Sequence, residues 1–134
     1  MIKTACTHPE IMKALSKTGH GDKILIVDGH YPADSKSSSE AKLVYLNVRR
    51  GLIDAVSILS VLMEMIPAEK MEVMVPDNHE QQPIHEDFQK VTGLEAEGIT
   101  RFDFYETGQA ENVKLIIVTG EDRIYGNLLL TVGV

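Results

Sequence analysis

The 134-residue chain contains one cysteine, Cys6, which excludes an intrachain disulfide and any site built from several thiolates. A reducing compartment suits such a chain. It also lacks a basic stripe: 20 acidic residues stand against 13 basic ones, for a net charge of −7, and no lysine- or arginine-rich run offsets the excess. That field disfavours nucleic acid and an anionic membrane surface as partners. Long hydrophobic runs are missing too. The most apolar stretch, residues 52–66, is interrupted by Asp54, Ser57, Ser60 and Glu64 and is too short to cross a bilayer alone. The first ten residues hold no apolar signal-like run and include Pro9, so a cytoplasmic location is expected.

Several chemistries are also missing. No serine stands in a nucleophile elbow, and Cys6 has no activating base near it in sequence, so covalent catalysis is unsupported. Among the histidines, only Asp28-x-His30 approaches metal-ligand spacing, and that signal is weak. Gly19-His20-Gly21 has the opening of a dinucleotide fingerprint, but it precedes a strand where the mechanism needs it to follow one. Neither a cofactor nor a metal is expected.

What is present describes an ordinary folded domain, with 43% hydrophobic and 25% charged residues and enough length for one core spanning residues 1–134. Thr7-His8-Pro9-Glu10 reads as a helix start, with Thr7 as the cap and Gly19 placed to end the helix. Lys23-Ile24-Leu25-Ile26-Val27-Asp28 is a strand apolar on both faces, which belongs inside a covered, largely parallel sheet. Residues 29–40 are a loop. Further strands are expected at 42–48, 71–75, 113–119 and 128–132, with helices at 51–66, 84–91 and from Tyr105 onward. The helix at 51–66 is apolar around nearly its whole circumference, which suggests burial on two sides, one on the sheet and the other against another subunit, with one long covered core helix as the alternative. The alternation gives an α/β fold: a single-domain, Rossmann-like three-layer α/β/α sandwich with a mainly parallel sheet.

Three groups of residues can carry chemistry. Gly19-His20-Gly21-Asp22 and Asp28-Gly29-His30 bracket one strand, placing Asp28 at its carboxyl end, where open α/β sheets bind ligands. His20 lies at the entering end, roughly 20 Å away along the strand. One pocket can use both only if His20 comes from another subunit. The plainer alternatives are a helix-terminal role for His20 and a turn role for Asp28. Thr119-Gly120-Glu121 and Tyr125-Gly126-Asn127 form the second group; Gly126 permits close backbone approach, while Tyr125 and Asn127 offer a hydroxyl and an amide suited to a hydroxyl-rich ligand. A hairpin-like turn with a packed tyrosine is the alternative. In Arg101-Phe102-Asp103-Phe104-Tyr105 alternation suggests a strand end feeding a helix, and Arg101 can fork onto hydroxyls or a carboxylate unless a surface ion pair occupies it.

Taken together, the GHGD motif, the strand into Asp28 with its following Pro-Ala, RFDFYE, and the terminal TGEDRIYGNLLLTVGV resemble the family of ribose pyranases and fucose mutarotases nearly end to end. Arg101 with Phe104 and Tyr105 resembles the fucose branch. The resemblance implies an isomerase acting on a free monosaccharide, L-fucose before D-ribose, and a toroidal homo-oligomer, often a decamer, with sugar pockets between subunits. It further implies His20 as general acid and Asp28, Arg101, Tyr125, Gly126 and Asn127 as sugar contacts. Anomer interconversion needs a proton delivered to the ring oxygen and one removed from the C1 hydroxyl, and Tyr125 or an ordered water is expected to relay the second. Ribose pyranase activity, or sugar binding without turnover in an accessory protein, are the alternatives.

Overall fold

Order along the chain is α1 (Pro9–Leu15), β1 (Lys23–Val27), β2 (Lys42–Tyr45), α2 (Ala55–Met63), β3 (Ala68–Val75), α3 (Pro83–Thr92), β4 (Ala96–Thr100), α4 (Arg101–Gly108), β5 (Val113–Val118) and β6 (Leu128–Val132). These elements come from a computed structural model that describes residues 1–134. Strand β1 is apolar on both faces and therefore stable only where both are covered. It lies inside a six-stranded sheet of order β2-β5-β1-β6-β3-β4. It pairs parallel with β5 and antiparallel with β6. β6 also runs antiparallel to β3, so it is the one reversed strand in an otherwise parallel sheet.

Alternate residues of β1 enter different cores. Ile24 and Ile26 pack with Ile11 and Leu15 of α1, Leu59 and Leu62 of α2, and Ile84 and Phe88 of α3. Leu25 and Val27 face the opposite way, against Phe104 of α4 and against Tyr31 and Ala33 of the loop after β1. The expected three layers are present, but the second covering layer is thin. One helix and the 28–41 loop do the work that three helices do on the other face.

Element ends differ from expectation for local reasons. The α1 cap is His8, not Thr7, with its Nδ1 accepting from Ile11 N–H, and the helix stops at Leu15, well before Gly19. Helix α2 begins at Ala55 because Asp54 caps it, accepting from Ser57 N–H at 2.9 Å and Ser57 Oγ–H at 2.7 Å. Its buried residues are Ala55, Ile58, Leu59 and Leu62, while Ser57 is exposed and Val56, Val61 and Met63 are half-buried. Burial on two sides is thus not reached within one chain. Strand β4 was not expected: Ala-Glu-Gly-Ile-Thr has little strand propensity, and it forms as an edge strand paired parallel to β3. Because β4 ends at Thr100, α4 opens at Arg101 rather than at Tyr105, and the alternating Arg101–Tyr105 segment is helical throughout.

Candidate active site

The site is made by a crossing. β5 and β6 are consecutive in sequence but β1 lies between them, so the 119–127 connection passes over the carboxyl end of β1. It cannot be the hairpin-like turn that its local sequence allows. Thr119 Oγ1–H donates to Val27 O at 2.8 Å, and Gly29 N–H donates to Glu121 O at 2.9 Å, which sews the crossing to the end of β1. Gly120 meets the 49–53 loop so closely that a Cβ there would collide with the backbone carbonyls of Leu52 and Arg49.

Asp28 sits beneath this crossing, 2% exposed. Its Oδ2 accepts from Gly126 N–H and from Asn127 Nδ2–H, each at 3.0 Å, and its Oδ1 accepts from His30 N–H at 2.9 Å. Asn127 closes the ring, its Oδ1 accepting from Asp28 N–H at 2.9 Å. Asp28 therefore does shape the turn, as the plainer reading held, and it also lines a pocket. Burial pushes its carboxyl above the ordinary carboxylate range, against the pull of the His30, Gly126 and Asn127 donors.

The pocket has a volume of about 300 Å³ and brings together Asp28, Arg101, Tyr125 and Asn127. Arg101 is exposed and enters it as the first residue of α4, its guanidinium 4.4 Å from the centre of the Phe102 ring. The alternative of a surface ion pair is not met, since no ion pair of the chain involves Arg101. Tyr105 packs edge-on against Tyr31, centroids 5.3 Å apart, and against Phe102 at 6.2 Å. The result is a polar floor with an aromatic wall, complementary to a ligand that has both hydroxyls and C–H faces. Gly126 contributes differently from expectation. A Cβ there would lie 2.9 Å from Glu121 Cγ and 3.1 Å from Ile84 Cδ1, so its small size serves the packing of the crossing.

His20 is elsewhere. It lies at the entering end of β1, its side chain is 57% exposed, and its Nε2 is 3.1 Å from Glu69 Oε2. Helix α1 ends at Leu15, too early for the helix-terminal role. One chain does not bring His20 to Asp28.

Sequence reasoning named His30 only beside Asp28, without a role in a pocket, and passed over Tyr31, Met74 and Ile124, which line the pocket with it, and His85, which hydrogen-bonds the Tyr125 carbonyl behind it. Met74 was findable, since β3 ends at the same edge of the sheet as β1. The rest depend on how the loops fold back. His30 Nε2 turns to Asp122 O at 3.4 Å, and no group of three or more His, Cys, Asp or Glu side chains is placed to hold a metal ion. No helix is long and apolar enough to cross a membrane.

Beside the pocket, Glu121 anchors the crossing. Its carboxylate accepts from Arg123 Nε–H at 3.0 Å and from a second guanidinium N–H at 3.1 Å, and Arg123 also reaches Asp87 of α3 at 2.9 Å. Burial alone would raise the Glu121 pKa, but the Arg123 bonds and charge outweigh it and hold the carboxyl below the usual range.

Comparison with known structures agrees with the fold. RbsD of Bacillus subtilis in complex with D-ribose superposes with a TM-score of 0.84 at 25% identity, covering 100% of this chain and 98% of that one. The fucose mutarotase of Streptococcus pneumoniae in complex with L-fucose gives 0.77 at 25% identity, over 95% of this chain and 93% of that one. FucU of Bifidobacterium longum gives 0.78 at 30% identity, over 95% and 94%. A model of the RbsD / FucU transport protein family matches residues 1–134, and by that match over its whole length the chain belongs to this family.

Proposed function

We propose that the protein is a cofactor-free sugar mutarotase of one domain, residues 1–134, that interconverts the α and β anomers of a free monosaccharide, with L-fucose as the favoured substrate. The observation that carries this reading is the pocket itself. A buried carboxylate, an unpaired arginine, a tyrosine and an amide converge on one aromatic-walled cavity of about 300 Å³. That is enough to hold a single sugar ring by its hydroxyls.

The chemistry asks for little. A proton goes to the ring oxygen, another leaves the C1 hydroxyl, the C1–O5 bond opens to the free aldehyde, and the ring recloses on either face. General acid–base catalysis contributes about 10²- to 10⁴-fold, and histidine is the natural donor near neutral pH. In this proposal His20 of a neighbouring copy is the acid, reaching the pocket across an interface. Asp28 fixes the sugar through its hydroxyls, with Gly126 and Asn127 holding the carboxylate. Arg101 bonds the hydroxyls on the α4 side. Tyr125 or an ordered water relays the second proton. A toroidal decamer in the cytoplasm is the assembly that fits this shared pocket and the half-open face of α2.

D-ribose is the second reading, in which the same ring opening exchanges pyranose and furanose forms. The superposition on ribose-bound RbsD, closer than that on the fucose mutarotase, favours it. Saturation-transfer NMR on L-fucose and D-ribose decides. Faster exchange between the anomeric signals of fucose alone is expected; acceleration for ribose alone moves the protein to the pyranase reading. Binding without acceleration of either leaves a sugar-binding accessory protein and overturns the enzymatic proposal.

A further inference from the structure

His85 is fully buried at the start of α3 and does not itself line the sugar pocket. Its two ring nitrogens face different partners. Nδ1 accepts from Gln82 N–H at 3.1 Å, which leaves the ring proton on Nε2, and Nε2–H donates to Tyr125 O at 3.0 Å. Tyr125 has φ 61°, a left-handed backbone that a tyrosine adopts only when its surroundings impose it.

The Tyr125 carbonyl and the Gly126 N–H are the two ends of one peptide unit. His85 holds the oxygen end, and Asp28 Oδ2 accepts from the nitrogen end at 3.0 Å. A rigid planar group therefore joins the buried histidine to the carboxylate in the pocket. If the His85 bond is lost, the plane is free to rotate, Tyr125 can leave the left-handed region, and Asp28 loses a donor.

We propose that His85 is a positioning residue: by pinning the Tyr125–Gly126 peptide it fixes the orientation of the Asp28 carboxylate and of the Tyr125 side chain in the pocket. The inference rests on the mutarotase reading for its kinetic consequence but not for its geometry. A competing role exists, because the bond from Gln82 N–H is also a cap on α3. The two roles use different nitrogens, and two conservative substitutions separate them. Asparagine places its oxygen near Nδ1 and keeps the cap; glutamine places its nitrogen near Nε2 and keeps the bond to Tyr125.

The experiment compares the full chain with His85→Asn and His85→Gln. It measures anomeric exchange on L-fucose and D-ribose, melting temperature, and hydrogen-exchange protection of the Gly126 amide without sugar. His85→Asn is expected to lose on the order of 10- to 100-fold in kcat/KM, the scale of a misplaced catalytic geometry, and to lose Gly126 protection. His85→Gln is expected to keep both close to the parent, even if its melting temperature falls further. The reverse order, or rates and protection that simply follow melting temperature, overturns the positioning role. If the parent exchanges neither sugar, the mutarotase reading fails, and the Gly126 protection pattern still decides for or against His85.

Discussion

Asp28 and His85 show what single residues do in this site. Asp28 is ionised only against the cost of burial, and three donors aimed at it offset part of that cost. In the proposed mutarotase, a carboxylate of raised pKa is, once ionised, a stronger acceptor for sugar hydroxyls than an exposed one. His85 carries the opposite sign. Burial lowers its pKa below the ordinary value of about 6.5, so the unfolded chain binds the proton more readily than the folded one. Stability contributed by the neutral ring is full above about pH 6.5 and declines as pH falls below it. Melting temperatures measured from pH 7.5 to 5.5 should therefore fall more steeply for the parent than for His85→Gln. Equal slopes would show that the ring does not remain neutral and buried. Both residues were visible in the sequence, but only Asp28 had a readable role, since a strand's end predicts a site and a helix's third residue does not.

At the level of elements, the 119–127 crossing makes the pocket. Its ends, β5 and β6, were legible as runs of branched apolar residues, and so was β1. That β1 separates them was not, because strand order depends on which faces find cover and leaves no local trace. The same limit hid β4, an edge strand formed by pairing alone, and so displaced the start of α4 to Arg101. The crossing also depends on Gly120, whose N–H donates to Ile53 O at 2.7 Å while its own carbonyl accepts from Gly51 N–H at 2.6 Å. A methyl group there has nowhere to go between the Leu52 and Arg49 carbonyls. Gly120→Ala should cost about 2–3 kcal/mol in denaturant unfolding. A loss below a few tenths would mean that the two loops part freely.

For the whole molecule, the proposed acid and the pocket it serves lie at opposite edges of the sheet. His20, its side chain more than half exposed, rests against Glu69. At the other edge Ile124, which lines the pocket, is exposed, as is Phe102 beside the lining residues Arg101 and Tyr105. The opposed placement of His20 and Asp28 was readable from the length of one strand. How two copies meet was not, because it depends on the shape of surfaces that only the fold creates. The account's central claim is that each working pocket takes Asp28 from one chain and His20 from another. Its most direct measurement is anomeric exchange by an oligomer assembled from equal amounts of His20→Ala and Asp28→Asn chains. Each variant alone should be inactive, and the mixture should recover about a quarter of parental activity, since half the His20 and half the Asp28 contributions are intact and combine at random. A mixture as inactive as its components would contradict the shared pocket.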